Sequence, residues 1–257
     1  MMKLFDSHCH LTDEKFEGDV ADVLDRMREN GVDRFLLAGS DLPTSRAGME
    51  LAGKVEEGYC AVGFHPHEAS SFRPEDADTL RKWLKAPKVQ ALGEIGLDYF
   101  YDFSPRDVQK EVLCTQLDLA LEENVPVILH VRDAHGDLLD IFRGRKGRLP
   151  SGIIHCYTGS WESAREYLDM GFYISFSGSV TFKNMVRLAD TVKNVPRDRF
   201  LIETDSPYLS PEPVRGRRNE PANVRYVAQK VALLRDVPVE EVAEATYANA
   251  CRVYRID

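Results

Sequence analysis

Residues 90–132, QALGEIGLDYFYDFSPRDVQKEVLCTQLDLALEENVPVILHVR, decide the fold because they hold two strand-like runs with a helix-like segment between them. The apolar runs at 90–97 and 126–132 are typical of buried strands. Residues 105–123 have helical periodicity, with one apolar stripe and a helix-starting Pro105. This order favours parallel strands joined by a right-handed helical crossover.

The same alternation extends in both directions from this unit. The chain has 257 residues, close to the roughly 250 typical of one eight-stranded α/β barrel. The sequence therefore predicts an α/β fold, a (β/α)8 TIM barrel formed by residues 1–257 as a single domain, with an extra C-terminal helix at 239–253. The predicted strands are 3–10, 34–40, 60–66, 90–97, 126–132, 152–158, 172–178 and 200–206.

Composition and charge exclude several classes of protein. The N-terminal MMKLFDSHCH is too polar for a signal peptide or membrane-spanning helix, so we expect a cytoplasmic protein without membrane contact. Five scattered cysteines without a CxxC pair argue against a disulfide framework or a thiolate zinc site. A net charge of −9 argues against a protein that coats nucleic acid through a broad cationic face, although it remains compatible with a nuclease.

The barrel prediction places functional residues at the C-terminal ends of the strands, where the βα loops form the active face. Because strand side chains alternate, His8 and His10 share a face and can bind one ion, although an HxH pair also suits ordinary polar residues at a strand end. Six ligand-type side chains fall at this end of five strands, in apolar surroundings where unpaired polar groups are costly. They are His8, His10, Glu94, His130, His155 and Asp205.

This set of donors predicts two divalent metal cations. Four imidazoles and two carboxylates suit zinc, manganese, nickel or iron better than an all-oxygen magnesium cage, but they leave magnesium open. Two neighbouring cations need a shared anionic ligand, and strands 4 and 5 contain no lysine that could be carboxylated for this purpose. Glu94 is therefore the expected bridge.

Seven motifs in order make a resemblance specific over essentially the whole chain. They are Phe5-Asp6-Ser7-His8-Cys9-His10-Leu11, Gly63-Phe64-His65-Pro66-His67, Gly93-Glu94-Ile95-Gly96-Leu97-Asp98-Tyr99, His130-Val131-Arg132-Asp133-Ala134, His155-Cys156-Tyr157-Thr158-Gly159, Glu203-Thr204-Asp205-Ser206-Pro207-Tyr208-Leu209 and the segment 215–221. In these motifs the sequence resembles the TatD family of metal-dependent deoxyribonucleases, which are amidohydrolase-like barrels.

The resemblance implies a division of the ligands and a reaction. His8, His10, Glu94 and Asp205 would hold one ion, and Glu94, His130 and His155 the other. DNA would be the substrate, cleaved at its phosphodiester bonds by a two-metal-activated water, and exonucleolytic cleavage of single-stranded or frayed DNA is expected. Asp205 is expected to be catalytic by orienting that water and taking its proton, with Glu94 as the bridging catalytic residue.

Residues around these ligands are expected to bind substrate or support a histidine. Arg132 shares the inward direction of His130 and can offer a bidentate fork to phosphate, although a salt bridge to a neighbouring acid is the alternative. The resemblance assigns His65 to phosphate as well. Glu203 is expected to support a histidine, or else to be a carboxylate in a buried polar network.

Two basic clusters and one aromatic loop complete the prediction. Arg217, with Arg215 and Arg218, lies after strand 8 on the metal-bearing face and is expected to bind substrate. The cluster within 143–148 precedes strand 6, on the opposite face, and is expected to be a solvated charge run. The aromatic residues of 99–103 could stack on unpaired bases or pack over the barrel mouth.

Alternative functions remain open at this stage. Fold and metals alone do not fix a substrate, so a metal-dependent amidohydrolase or phosphoesterase acting on a small molecule is the first alternative. A non-catalytic metal-binding protein is the second. The native metal, the exonuclease polarity, the preference between DNA and RNA, and the choice between a monomer and a small homo-oligomer are also open.

Overall fold

Eight parallel strands form the centre of the computed structural model, which describes residues 2–257. Each strand pairs with the next one along the chain, in the order β1 to β8. The strands are β1 Leu4–Cys9, β2 Val32–Ala38, β3 Gly58–Val62, β4 Val89–Asp98, β5 Val127–Arg132, β6 Gly152–Ile154, β7 Tyr173–Phe176 and β8 Phe200–Ile202.

Backbone contacts between the first and last strand regions close the sheet. Cys9 and Ser206 form a parallel bridge, and the N–H of His10 donates to the Ser206 carbonyl at 2.7 Å. The N–H of Asp205 donates to the His8 carbonyl at 3.0 Å. The predicted (β/α)8 barrel is therefore confirmed.

Helices follow the strands on the outside of the barrel. The helix predicted at 105–123 runs from Arg106 to Glu122, with Pro105 directly before it. The helices are α1 Val20–Glu29, α2 Leu42–Lys54, α3 Pro74–Trp83, α4 Arg106–Glu122, α5 His135–Gly144, α6 Trp161–Asp169, α7 Val186–Asn194, α8 Val224–Arg235 and α9 Val239–Tyr254.

The extra C-terminal helix α9 is also confirmed, and it packs on the barrel interior. Each strand contributes one side chain to a buried cluster, and Val253 and Tyr254 of α9 pack against that cluster. The Tyr254 hydroxyl donates to the Ser7 carbonyl at 3.0 Å. This helix therefore covers one end of the barrel and leaves the end formed by the βα loops to the polar residues.

Several strands end earlier than the sequence predicts. β6 ends at Ile154 and β8 at Ile202, whereas the predicted strands continue to 158 and 206. Cys156 and Asp205 have φ angles of 45° and 57°, in the left-handed region that a β ladder does not accommodate. His155 and Asp205 therefore lie on turns just beyond their strands, and His65 lies three residues beyond the end of β3.

The backbones of β4 and β5 lie so close together at Gly96 that there is no space for a side chain. The φ of Gly96 is 149°, and a Cβ atom there would lie 1.9 Å from the backbone carbonyl oxygen of His130. We expect Gly96→Ala to lower the free energy of unfolding by on the order of 3 kcal/mol, because backbone strain and overpacking add. Urea unfolding followed by circular dichroism measures this change.

Gly53 on α2 provides the matched control. A Cβ at Gly53 meets no atom within 4 Å, so Gly53→Ala should be neutral or stabilising by up to about 1 kcal/mol. Equal unfolding midpoints for the Gly96→Ala variant and the wild type would contradict the close approach of the two strands.

Candidate metal centre

The first group of donor atoms lies where the two ends of the sheet meet. His8 Nε2 is 3.1 Å from Glu94 Oε2 and 3.6 Å from Asp205 Oδ1. His10 Nε2 is 3.7 Å and 3.4 Å from the same two oxygens, and 3.0 Å from His8 Nε2. Closure of the barrel thus brings together the four residues that the resemblance to the TatD family places around one ion.

The second group surrounds the other oxygen of the same glutamate. Glu94 Oε1 lies 2.8 Å from His130 Nδ1 and 2.8 Å from His155 Nε2. These two nitrogens are 3.4 Å apart. Glu94 is 3% exposed, and its two oxygens face two different sets of imidazole nitrogens. This is the arrangement expected of a bridging carboxylate.

Partners outside the two groups fix which ring nitrogen of His10 and of His155 is free. His10 Nδ1 lies 3.2 Å from the Ala38 carbonyl, and His155 Nδ1 lies 3.1 Å from Glu203 Oε1. Because these oxygens only accept, the two Nδ1 atoms carry the protons and the Nε2 lone pairs point into the centre. Glu203 thus contacts a histidine as predicted, and it also accepts from the Cys156 N–H and the Ser175 hydroxyl.

The chemistry of the donor set fits divalent cations. Lone pairs of neutral imidazoles and carboxylate oxygens repel one another at these separations unless positive charge lies among them. Burial would raise the pKa of Glu94, but the surrounding imidazoles of His155, His8 and His65 hold that pKa well below its ordinary value. A buried, ionised carboxylate among nitrogen donors is the environment that transition-metal ions and zinc prefer.

His65 lies beside the second group with the opposite proton arrangement. Its Nδ1 accepts the backbone N–H of His67 at 3.1 Å, so in the neutral ring the proton sits on Nε2, 3.5 Å from Glu94 Oε1. Burial lowers the pKa of His65 to about 4, which keeps the ring neutral near pH 7. The described tautomer makes His65 a donor facing the centre, which suits its predicted role toward phosphate better than a role as a ligand.

The predicted substrate-binding arginines differ in how they are held. Arg132 is exposed and makes no ion pair within residues 2–257; its guanidinium carbon lies 4.0 Å from the Phe100 ring centroid. Arg217 is also exposed. Its neighbour Arg215 covers the Phe182 ring at 3.5 Å, whereas Arg218 forms an ion pair with Asp19 at 2.5 Å.

Acidic neighbours hold the basic cluster on the opposite face. Arg143 pairs with Asp140 and Glu166, and Arg145 pairs with Asp118. Two guanidinium groups of the basic cluster therefore form ion pairs with acidic residues of the same face of the barrel, as expected of a solvated charge run.

Comparison with known proteins gives the family. Residues 5–255 match the family model described as TatD related DNase. The chain belongs to the TatD family. It is 44% identical to a metal-dependent hydrolase of Bacillus subtilis, over 99% of this chain and 100% of the relative. It is 34% identical to the 3'-5' ssDNA/RNA exonuclease TatD of Klebsiella pneumoniae, over 99% and 98% of the two chains.

A solved TatD structure has the same fold. The TatD homologue from Escherichia coli K12 superposes with a TM-score of 0.93 at 27% identity, covering 100% of this chain and 99% of the other. Membership of a family of metal-dependent hydrolases and the clustered histidines and carboxylates agree on metal binding. Within residues 2–257, no helix is long and apolar enough to cross a membrane.

Asp98 is the residue of this TatD centre to which the sequence assigns no role. Its Oδ2 lies 2.9 Å from His130 Nε2 and 3.0 Å from His67 Nε2. It also accepts the backbone N–H groups of Phe100 and Tyr101, and only 1% of it is exposed. By accepting from Nε2, Asp98 leaves His130 Nδ1 free toward Glu94. Asp98 is an even number of residues from Glu94 along β4, and strand side chains at even spacing share a face. This spacing was the sequence signal that could have placed Asp98 at the centre.

We expect Asp98→Ala to weaken metal binding at the second group by about 10–100-fold, because His130 loses the acceptor that orients it. Binding to His8 and His10 should change far less. Competition of zinc against a chelating dye, analysed for two classes of site, measures both affinities.

The neighbouring exposed carboxylate Glu68 supplies a control of equal charge change. Glu68→Ala should leave both affinities unchanged. If Asp98→Ala and Glu68→Ala give the same two affinities, Asp98 has no part in holding His130.

Proposed function

We propose that this protein hydrolyses phosphodiester bonds at the 3′ end of single-stranded nucleic acid, DNA in particular, with two divalent metal ions. His8, His10, Glu94 and Asp205 would hold one ion, and Glu94, His130 and His155 the other. The observation that carries the proposal is that the two oxygens of Glu94 face separate sets of nitrogen donors at 2.8–3.7 Å. Zinc, manganese and nickel suit these donors better than magnesium.

The chain's own residues supply orientation and proton transfer. When bound, the metal ions lower the pKa of water and offset the negative charge that develops on the phosphate. Asp205 lies at the open end of the first group and its side chain is 15% exposed, so it can orient the attacking water and accept its proton. Burial would raise the pKa of Asp205, but the neighbouring imidazoles of His10, His155 and His8 bring that pKa below its ordinary value. Asp205 is therefore ionised and ready to accept.

Two donors beside the metals suit the phosphate oxygens. His65 presents Nε2–H toward the centre, and Arg132 presents a guanidinium at the end of β5 that forms no ion pair with any of the residues 2–257. A neutral donor and a fixed cation can together hold the phosphate without depending on protonation of an imidazole.

An open surface depression between the loops that follow β7 and β8 suits the nucleic-acid backbone. It has a volume of about 370 Å³ and is lined by Lys183, Asn184 and Arg215, together with Phe182 and Glu212. Arg217 is two residues from Arg215 in the same loop. These local positive charges allow a protein with a net charge of −9 to bind a polyanion.

The choice of substrate and polarity draws on the relatives. Proteins 34–35% identical to this chain carry the name 3'-5' ssDNA/RNA exonuclease. Hydrolysis of an amide or a small ester is the alternative, because the fold serves both classes. A cytoplasmic location and a monomer or small homo-oligomer stay predictions.

The activity is tested with a 5′-labelled single-stranded oligonucleotide and the protein loaded with zinc or manganese. We expect stepwise shortening from the 3′ end, complete loss with a chelator, and a kcat at least about 100-fold lower for Asp205→Asn because it lacks the proton acceptor. Gel analysis of the products and thermal unfolding of both proteins are the measurements.

A panel of amides and lactones is assayed in parallel. Turnover of an amide or lactone without nucleotide release would replace the nuclease proposal by the alternative. Full nuclease activity in folded Asp205→Asn would instead remove Asp205 from its assigned role.

The role of Arg132 is tested by Arg132→Lys and Arg132→Ala. Loss of the bidentate fork should lower kcat/KM on DNA by about 10–100-fold in the alanine variant, with partial recovery in the lysine variant, since lysine retains only a point charge. Steady-state kinetics at several salt concentrations measure this. Unchanged kcat/KM in both variants would contradict phosphate binding by Arg132.

A further inference from the structure

Three large aromatic side chains stand exposed in the loop after β4. Phe100, Tyr101 and Phe103 are 56%, 47% and 68% exposed, whereas Tyr99 of the same loop packs under Arg106 and donates to Asp137. Exposing three neighbouring rings is unfavourable in water unless a ligand covers them. Core packing over the barrel mouth therefore explains Tyr99 but not the other three.

The exposed rings are arranged as a surface rather than scattered. Tyr101 and Phe103 stack with centroids 5.2 Å apart at an interplanar angle of 26°. Both meet the His67 ring edge to face, at 5.4 Å and 4.8 Å. His67 is held by Asp98, which also holds His130, so one buried carboxylate supports the aromatic pair and the metal centre.

A cation lies at the edge of this surface. The guanidinium carbon of Arg132 is 4.9 Å from the Tyr101 centroid and 4.0 Å from the Phe100 centroid. Phe100 and Tyr101 thus both contact Arg132 by cation–π interactions, while Tyr101 remains 47% and Phe103 68% exposed. Exposed aromatic rings beside a guanidinium that has no ion pair among residues 2–257 match the two parts of a nucleotide, its base and its phosphate.

We propose that Tyr101 and Phe103 form a stacking platform for an unpaired nucleobase whose phosphate is bound by Arg132 beside the metal centre. The proposal deepens the proposed function and rests on it, because it names how a single strand is positioned for cleavage. Stacking is available only to a base that is free of its pairing partner, so the platform favours single-stranded over duplex ends. It is indifferent to base identity, since every base has a π face.

The test compares two substrates of equal length, an oligothymidylate and the same strand with abasic residues at its three 3′-terminal positions. Both carry the same phosphates. For the wild type we expect a KM about 10-fold higher on the abasic strand, with little change in kcat, because one stacked base contributes about a tenfold in affinity. The double variant Tyr101→Ala/Phe103→Ala should show, on both strands, the KM that the wild type has on the abasic strand. It should therefore no longer distinguish the two strands.

Two further variants separate stacking from structural damage. Tyr101→Phe/Phe103→Tyr keeps both rings and should retain the wild-type discrimination. Leu233→Ala removes a side chain of α8 that is 73% exposed and should change neither KM. An alanine pair that raises KM by the same factor on both strands, or a wild type that does not distinguish the strands, overturns the platform.

A binding measurement keeps failure of the platform separate from failure of the proposed function. Anisotropy of each fluorescein-labelled strand is followed with metal-loaded Asp205→Asn protein, with and without the alanine pair. If the wild type cleaves neither strand, the proposed function fails. The anisotropy measurement then tests, without any cleavage, whether Tyr101 and Phe103 bind a base. Tighter binding of the intact strand that is lost in the Tyr101→Ala/Phe103→Ala variant supports the stacking platform. Equal binding of both strands overturns it.

Discussion

Closure of the sheet between β1 and β8 is the constraint on which the remaining structure depends. Two backbone hydrogen bonds there, from His10 to Ser206 and from Asp205 to His8, set residues from opposite ends of the chain side by side. Without them the first group of donor atoms would not exist, because its histidines and Asp205 approach one another only through this seam. The position of the seam at the C-terminal ends of the strands also explains why the polar residues converge at one end, while α9 covers the other.

Orientation of the histidines is the second level of organisation. Ala38, Glu203 and Asp98 each occupy one ring nitrogen of a different histidine and leave the other free. The rule is general for metal-binding imidazoles, and here it also distinguishes His65, whose free nitrogen bears a proton. The partner on the far side of the ring thus decides whether a histidine presents a lone pair, as a metal ligand must, or an N–H, as a donor to substrate must.

The sequence predicted the parts of this architecture that depend on local patterns. Apolar periodicity in 90–132 and its repetition along the chain predicted the barrel, and strand alternation predicted the pairing of His8 with His10. The ends of β6 and β8 were wrong because Cys156 and Asp205 leave the strand conformation under tertiary constraints that periodicity does not record. The role of Asp98 depends on which nitrogen of His130 it contacts, and the ion pair of Arg218 with Asp19 spans 199 residues. Such contacts exist only in the folded chain.

The split of one donor group between the two ends of the chain has a consequence for biosynthesis. A growing chain cannot assemble the group that contains His8 until Asp205, on the far side of seven strands, has been made. Strands β1 and β8 must then meet before the donors of the first group are in place, whereas Glu94, His130 and His155 of the second group all precede β8 in the chain. We therefore expect the first group to bind its ion only after the barrel has closed, and that ion would in turn hold β1 and β8 together.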